Sequence, residues 1–377
     1  MKKSILIWVG YHSKPWDIQD WINYGKGGSE VMAIKLAYRL KDLGYNVTIS
    51  GGVKTNHKWG IDWINEHKFL EYFGPIGLTN PHSVNAKNHY NTVIGVNYIH
   101  FIRHIKDLNV TFDDAWFWMH NESYHRWYRG GELDDYKQYF KNDKLRGIIG
   151  VSDFHKKYLQ KEASKLFDYT TNDSNTYIHS IDNAIDLDDY KVWKGRNIVI
   201  DDNNKIPDRI IWTSSADRGL DFILENWESW KQKVPGLSLA ILSPPYSVGW
   251  FDKSRLDKLK DIEWLGNKCP LDVKKEIAKS TYWIYSSDYI ETYCISALEM
   301  MMGKVKIITN GTGNIKNLVN NDRGTLIKGD ENEVIEAIIS DKINPDNMNR
   351  KTVSAYEFAK QHNWDTRVNE WINLLNL

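Results

Sequence analysis

Twice along this chain a short apolar run of strand type passes into helical spacing and then into a second apolar run. Ser4–Val9 (SILIWV) is followed by Ala33, Leu36, Ala37, Leu40 and Leu43, then by Gly44 and the β-branched Tyr45–Ser50. Intervals of three and four mark one face of a helix, and Gly44 ends it. Asn91–Ile99, Ala115–Met119 and Gly147–Val151 continue the strand pattern. Lys194–Asp208, rich in Asn, Asp and Pro, reads as a linker. Beyond it, strands at Arg209–Thr213, Leu237–Leu242, Ile262–Leu265, Tyr282–Tyr285 and Lys306–Thr309 alternate with helices at Gly219–Trp230, Leu271–Lys279 and Ile295–Met302. Parallel strands need crossover helices, so the pattern predicts an α/β chain of two Rossmann-like doubly wound domains, with a cleft at the carboxyl ends of both sheets.

The chain has 377 residues, enough for two cores, and its 49 Lys+Arg balance its 49 Asp+Glu. Zero net charge offers no field for a polyanion, so nucleic acid is an unlikely partner. Cys269 and Cys294 stand apart without CxxC or His-rich context, which fits a reducing, cytoplasmic setting and neither a disulfide scaffold nor a zinc site. The opening apolar run reads as a strand rather than a leader, and no run is long enough to span a membrane, although peripheral membrane contact stays open. The 17 Trp are spread along the chain and read mostly as core and cleft wall, with Trp16, Trp21, Trp59, Trp127 and Tyr128 as candidate ligand contacts in the first half of the chain.

Glu291 and Glu299, eight positions apart, fall at an expected loop-to-helix junction. Eight helical residues rise ~12 Å, too far for one proton-sharing pair but suited to bracketing a long ligand. A diphosphate between hydroxylated rings fits, because helix starts attract anions and carboxylates accept hydrogen bonds from diols. Gly27 and Gly28 allow close backbone approach before the first helix, with Ser29 as a candidate cap. Ser215 and Arg218 occupy the corresponding turn after Trp212, where a guanidinium can neutralise phosphate charge or merely pair with Asp217 or Asp221. His120 follows the strand-like Trp116–Met119 and is expected to face the cleft. The pairs Asp113-Asp114, Asp134-Asp135, Asp188-Asp189 and Asp201-Asp202 are not DxD motifs and read as solvated turns and caps, so no metal site is expected.

Taken together, GGSE at Gly27–Glu30, HNES at His120–Ser123, GVSDFHKKYL at Gly150–Leu159, SIDNAIDLDDY at Ser180–Tyr190, SSADRGLD at Ser214–Asp221 and the Glu291/Glu299 EX7E spacing resemble family 4 retaining glycosyltransferases of the GT-B fold. The resemblance implies an acceptor-binding domain over residues 1–190, completed by a C-terminal helix at 358–377, and a nucleotide-sugar domain over 191–357. It implies that Gly27 and Gly28 approach the donor diphosphate and that Arg218 replaces the family's phosphate-binding lysine. By the same resemblance Glu291 contacts the transferred sugar, Glu299 holds the ribose diol, and Tyr293, Cys294 and Ile295 bring amides to the phosphate. His120 matches the family's histidine near the donor sugar, and Asn183 lies in an interdomain turn of structural character. Two departures stand out. Ser214-Ser215 replaces the GR that gives the family a second cation, so either Lys26 or Lys268 supplies it or the donor is held more weakly, and the acidic residue after the family's glycine pair is absent from Gly311–Asn317.

The implied reaction moves a hexose, without a metal or other cofactor, from a GDP- or UDP-sugar to a hydroxyl of a glycan, glycoprotein or glycolipid. Protein dipoles and Arg218 would stabilise the leaving group, and the leaving phosphate itself would take the acceptor's proton. A sugar-nucleotide epimerase, a phosphorylase, a nucleobase or DNA glycosyltransferase and a binding protein without turnover are the competing classes; a phosphorylase would need pyridoxal phosphate on a lysine, for which no context is evident.

Overall fold

A computed structural model describes residues 3–68, 88–98, 101–122, 145–167, 177–190, 204–244, 247, 249 and 251–377. It divides into two units: unit 1 comprises residues 1–20, 28–183 and 364–377, and unit 2 comprises 21–27 and 184–363.

Among the described residues unit 1 is built on eight strands: β1 (Ser4–Trp8), β2 (Asn46–Gly51), β3 (Asn56–Lys58), β4 (Ile61–Asn65), β5 (His89–Val96), β6 (Thr111–Trp118), β7 (Leu145–Gly150) and β8 (Ile178–Ser180). Their order is β3-β4-β2-β1-β5-β6-β7-β8. Every neighbouring pair is parallel except β3 with β4. The five residues of β1 are all buried, as expected of a strand covered on both faces. Helices α1 (Ile18–Tyr24), α2 (Gly28–Asp42), α3 (Phe101–Asp107) and α4 (Asp153–Phe167) supply crossovers. α1, α3 and α4 were missed by the sequence reading, and the expected strand Asn91–Ile99 ends at Val96, because Asn97 takes a left-handed φ of 63°.

Unit 2 carries β9 (Arg209–Trp212), β10 (Ser238–Leu242), β11 (Ile262–Gly266), β12 (Tyr282–Tyr285), β13 (Lys306–Thr309) and β14 (Thr325–Leu326) in the order β11-β10-β9-β12-β13-β14, all parallel. Its helices are α5 (Leu220–Lys233), α6 (Pro270–Lys279), α7 (Ile295–Met302), α8 (Ile315–Leu318), α9 (Glu331–Ile343) and α10 (Pro345–Gln361). Ala297, Leu298, Met300, Met301 and Met302 bury α7 on nearly all sides. Such a helix belongs inside a core, so its half-buried Glu299 is an exception that asks for a reason.

Two segments belong to a unit other than that of their neighbours in sequence. The end of α1 belongs to unit 2, where Asn267 Nδ2 donates to the Tyr24 carbonyl at 2.9 Å. The last helix, α11 (Trp364–Leu375), returns to unit 1: Trp371 meets Trp118 edge-on at 4.6 Å, and Arg39 pairs with Asp365 at 3.2 Å. Residues 358–361 remain in α10 and unit 2. Among the described residues no helix is long and apolar enough to cross a membrane.

Candidate active site

In unit 2 the carboxyl ends of β9 and β12 lock together through one glycine. β9 passes into a 3-10 turn over Ala216–Arg218, closed by Gly219 at φ 110°. A Cβ on Gly219 would stand 2.2 Å from the Ser286 carbonyl oxygen, just beyond β12, so no other residue fits. This turn presents Arg218. Its Nη1 lies 3.2 Å from Glu291 Oε1, and its guanidinium carbon sits 3.2 Å from the centre of the Tyr289 ring. The Tyr285 hydroxyl donates to the same Glu291 oxygen. Burial, then the Glu291 charge, pushes the Tyr285 phenol well above its usual range, which keeps it protonated and a donor. A cation flat on an aromatic face and tied to a carboxylate is held in one orientation. Arg218 thus pairs with neither of the aspartates that the sequence offered.

Glu291 is fixed from behind. It bridges to Gly313, and the Asn314 N–H donates to the Glu291 carbonyl at 2.7 Å while Asn314 Nδ2 donates to the Tyr293 carbonyl at 3.2 Å. Gly313 has φ 74°, and a Cβ there would lie 2.5 Å from both Glu291 N and Glu291 O. The stretch that departs from the family pattern therefore braces the Glu291 loop through glycine and asparagine rather than through an acid. Tyr285 and Tyr289 were missed by sequence reasoning, which singled out Gly313 and Asn314 only as part of the departing Gly311–Asn317 stretch and not as the brace of Glu291; the signal available for the tyrosines was an aromatic ending β12.

Cys294 turns the chain into α7 with a left-handed φ of 78°, bringing the Tyr293, Cys294 and Ile295 amides to the helix start. Burial pushes its thiol well above the ordinary range, which disfavours the thiolate. Two turns on, burial raises the Glu299 carboxyl, an effect opposed by Lys274 and reinforced by Asp189. Lys274 Nζ lies 3.4 Å from Asp189 Oδ2 and 5.5 Å from the Tyr190 ring. Asp189 corrects the reading of Asp188-Asp189 as a solvated turn, since it is buried and ion-paired. Asp113 and Asp114 contact Asn91 and Arg146, while Asp134-Asp135 and Asp201-Asp202 lie outside the described residues. The Ser215 hydroxyl is buried in the Arg218 turn with no hydrogen-bond partner among the described residues. Among those residues no three His, Cys, Asp or Glu side chains gather as metal ligands would.

Gly27 closes the segment assigned to unit 2 and Gly28 is the first residue of α2, so the expected cap is corrected: Ser29 lies inside the helix and donates to Glu30 at 3.0 Å. The left-handed turn of that loop is at Gly25, φ 75°, beside the Lys268 carbonyl. Lys26 and Lys268 therefore lie on segments that touch.

In unit 1, His120 stands two residues past β6, as the sequence predicts. Its N–H donates to Asn97 Oδ1 at 2.9 Å and its ring packs 4.6 Å from Trp118. Burial, then His155, holds its imidazole down to about 3; burial likewise holds His155 down to about 4. Val151 N–H donates to His155 Nδ1 at 3.2 Å, and Nε2 meets the Asn121 carbonyl at 2.8 Å, which fixes a neutral tautomer. Trp16 and Trp21 are buried and cannot offer faces to a ligand; Trp59 is exposed, at the β3–β4 turn. Trp127, Tyr128 and Ser123 lie outside the described residues.

A cavity of about 480 Å³ lies at the opposite, amino ends of β9–β11, lined by Arg209, Ser238 and Glu263. Arg209 is already paired with Glu276 at 2.8 Å, so its charge is met within the fold.

No family profile and no curated protein sequence matches the chain. Solved structures do. Anabaena Alr3699/HepE, crystallised with UDP, aligns over 100% of both chains with TM-score 0.67 and 13% identity. Sucrose-phosphate synthase from Thermosynechococcus elongatus aligns over 99% of this chain and 98% of its own with TM-score 0.71 and 14% identity. WaaG, a glycosyltransferase involved in lipopolysaccharide biosynthesis, aligns over 98% and 99% with TM-score 0.64 and 11% identity. The chain has the GT-B fold.

Proposed function

We propose that the protein is a nucleotide-sugar glycosyltransferase of the family 4 type, moving a hexose with retention and without a metal from a UDP- or GDP-sugar to a hydroxyl of a glycan, glycoprotein or glycolipid. The observation that carries this reading is the Arg218–Glu291 pair, held by Tyr289 and Tyr285 at the start of α7. The UDP found with Alr3699/HepE supports a nucleotide donor and puts UDP ahead of GDP.

In this reading unit 2 binds the donor. Arg218, the buried Ser215 hydroxyl, the Gly27 backbone and the amides of Tyr293, Cys294 and Ile295 take the diphosphate, where charge grows as the sugar leaves. Glu291 accepts hydrogen bonds from the sugar hydroxyls and Glu299 from the ribose diol. Lys274 opposes the burial that would otherwise protonate Glu299. Lys26 or Lys268 supplies the second cation. In unit 1, His120 offers a sugar hydroxyl a neutral imidazole, because its environment denies it a proton. The leaving phosphate takes the acceptor's proton, and the enzyme works in the cytoplasm.

Thermal shift with a panel of nucleotide sugars, followed by NMR of the anomeric product, tests the proposal. A UDP- or GDP-sugar raises the melting temperature and gives a product of unchanged anomeric configuration. An inverted product contradicts retention, and conversion of the donor without an acceptor replaces transfer by epimerisation.

A further inference from the structure

The turn from β7 into α4 carries a histidine where a helix cap alone would not ask for one. Ser152 stands at the helix start: its Oγ accepts from the His155 N–H at 2.9 Å and its carbonyl from the Lys156 N–H at 2.8 Å. At the third helical position a Glu or Gln commonly completes such a cap by reaching back to a backbone N–H. His155 does this through Nδ1, which accepts from the Val151 N–H at 3.2 Å. The imidazole has a second nitrogen on its far side, and this Nε2 lies 2.8 Å from the Asn121 carbonyl oxygen. A backbone N–H only donates and a carbonyl only accepts, so the two partners together fix one tautomer, with the hydrogen on Nε2. The ring is fully buried, and burial keeps it neutral.

The bond to Asn121 lies beyond the paired residues of the sheet. Just past β6, the Met119 N–H still donates to the Ile149 carbonyl of β7 at 2.9 Å. One residue further the chain turns the other way, and the His120 N–H donates to Asn97 Oδ1, next to β5, at 2.9 Å. The Asn121 carbonyl then turns back toward α4 and meets His155. His120 thus sits between two tethers that pull its peptide units in opposite directions, one from each neighbouring strand. Both peptide planes beside its Cα are fixed, and this sets where its side chain leaves the backbone.

We propose that His155 is a positioning residue for the transfer reaction, holding the Asn121 peptide, and through it the His120 imidazole, in the orientation that meets a sugar hydroxyl. The proposal rests on the glycosyltransferase reading and adds one residue to its unit 1 side. A second hydrogen, on Nδ1, would confront the Val151 N–H, so the tie exists only while the His155 ring is neutral.

Two substitutions separate the ring's two bonds. His155→Gln puts an amide nitrogen near the place of Nε2 and keeps the donor to Asn121; His155→Asn puts an oxygen near the place of Nδ1 and keeps only the acceptor for Val151. Each loses one buried hydrogen bond, so urea unfolding shows similar losses of stability. Release of nucleoside diphosphate from UDP-glucose, UDP-galactose, UDP-N-acetylglucosamine and GDP-mannose tells them apart. His155→Asn lowers kcat about 10-fold or more, His155→Gln recovers most of this, to within about threefold of the wild type, and the donor KM is unchanged in both. Equal loss of kcat in the two variants, in step with their stability, overturns the proposal. Should neither variant fold, proton–nitrogen NMR correlations of the wild-type imidazoles decide: the Nε2–H tautomer of His155 at neutral pH is required, and an Nδ1–H or charged ring overturns it. If the wild type releases diphosphate from none of the four donors, the glycosyltransferase reading fails and the proposal falls with it; if it releases diphosphate and the two variants fall together, that reading stands.

Discussion

At the carboxyl ends of β9 and β12, unit 2 sets a guanidinium against a carboxylate; past β6, unit 1 gathers two histidines and keeps them neutral by burial. Arg218 and Glu291 satisfy one another at 3.2 Å, with Tyr285 and Tyr289 closing around them. His120 and His155 have their imidazoles held to about 3 and about 4. Both sites stand at the ends of parallel strands, so topology places them and the surroundings decide their charge. A cation beside a carboxylate suits an anion that arrives and leaves. A dry imidazole suits a hydroxylated, uncharged group.

The contrast breaks most visibly at Trp371, fully buried on Trp118 in unit 1. Trp371→Ala costs about 3–5 kcal/mol, and hydrogen exchange shows the loss concentrated in unit 1. Equal loss of protection in unit 2 would remove the independence of the two units. Arg218→Ala acts the other way, leaving stability nearly intact while lowering donor turnover about 10²-fold, or about 3 kcal/mol; Arg218→Lys recovers part of this because it restores charge without the planar stack on Tyr289. Steady-state kinetics and urea unfolding on the same variants separate the two effects.

Acid sharpens the comparison. The folded imidazoles of His120 and His155 lie below the unfolded value of 6.5, so the unfolded chain binds more protons between those limits and stability falls as pH falls through this window. From pH 7 to pH 5 each contributes a loss of roughly 2 kcal/mol. His120→Gln removes its own share of the slope in urea titrations at the two pH values, and an unchanged slope would contradict the buried neutral assignment. Smallest is Glu299→Gln, which lowers UDP affinity roughly tenfold by calorimetry. Since burial raises this carboxyl, the same change slightly stabilises the fold at neutral pH.

The sheets were legible because each strand is a near-continuous apolar run: the Tyr282–Tyr285 strand and the Ile295–Met302 helix have the expected bounds. The EX7E spacing likewise predicted that Glu291 would precede α7 and Glu299 lie within it. What stayed hidden depends on contacts far apart in sequence. Asp189 reads as a turn residue until Lys274, 85 positions on, lies beside it. Gly313 shows its purpose only against Glu291, and the Asn121–His155 link spans 34 positions. The assignment of residues 21–27 to unit 2 has no local signal at all, because it rests on Asn267 holding the end of α1.

A crystal structure of the protein soaked with UDP tests the central claim most directly. The diphosphate is expected within hydrogen-bond distance of Arg218 and the amides of residues 293–295, with the ribose on Glu299. UDP bound away from all of these, or bound solely by unit 1, would contradict the account.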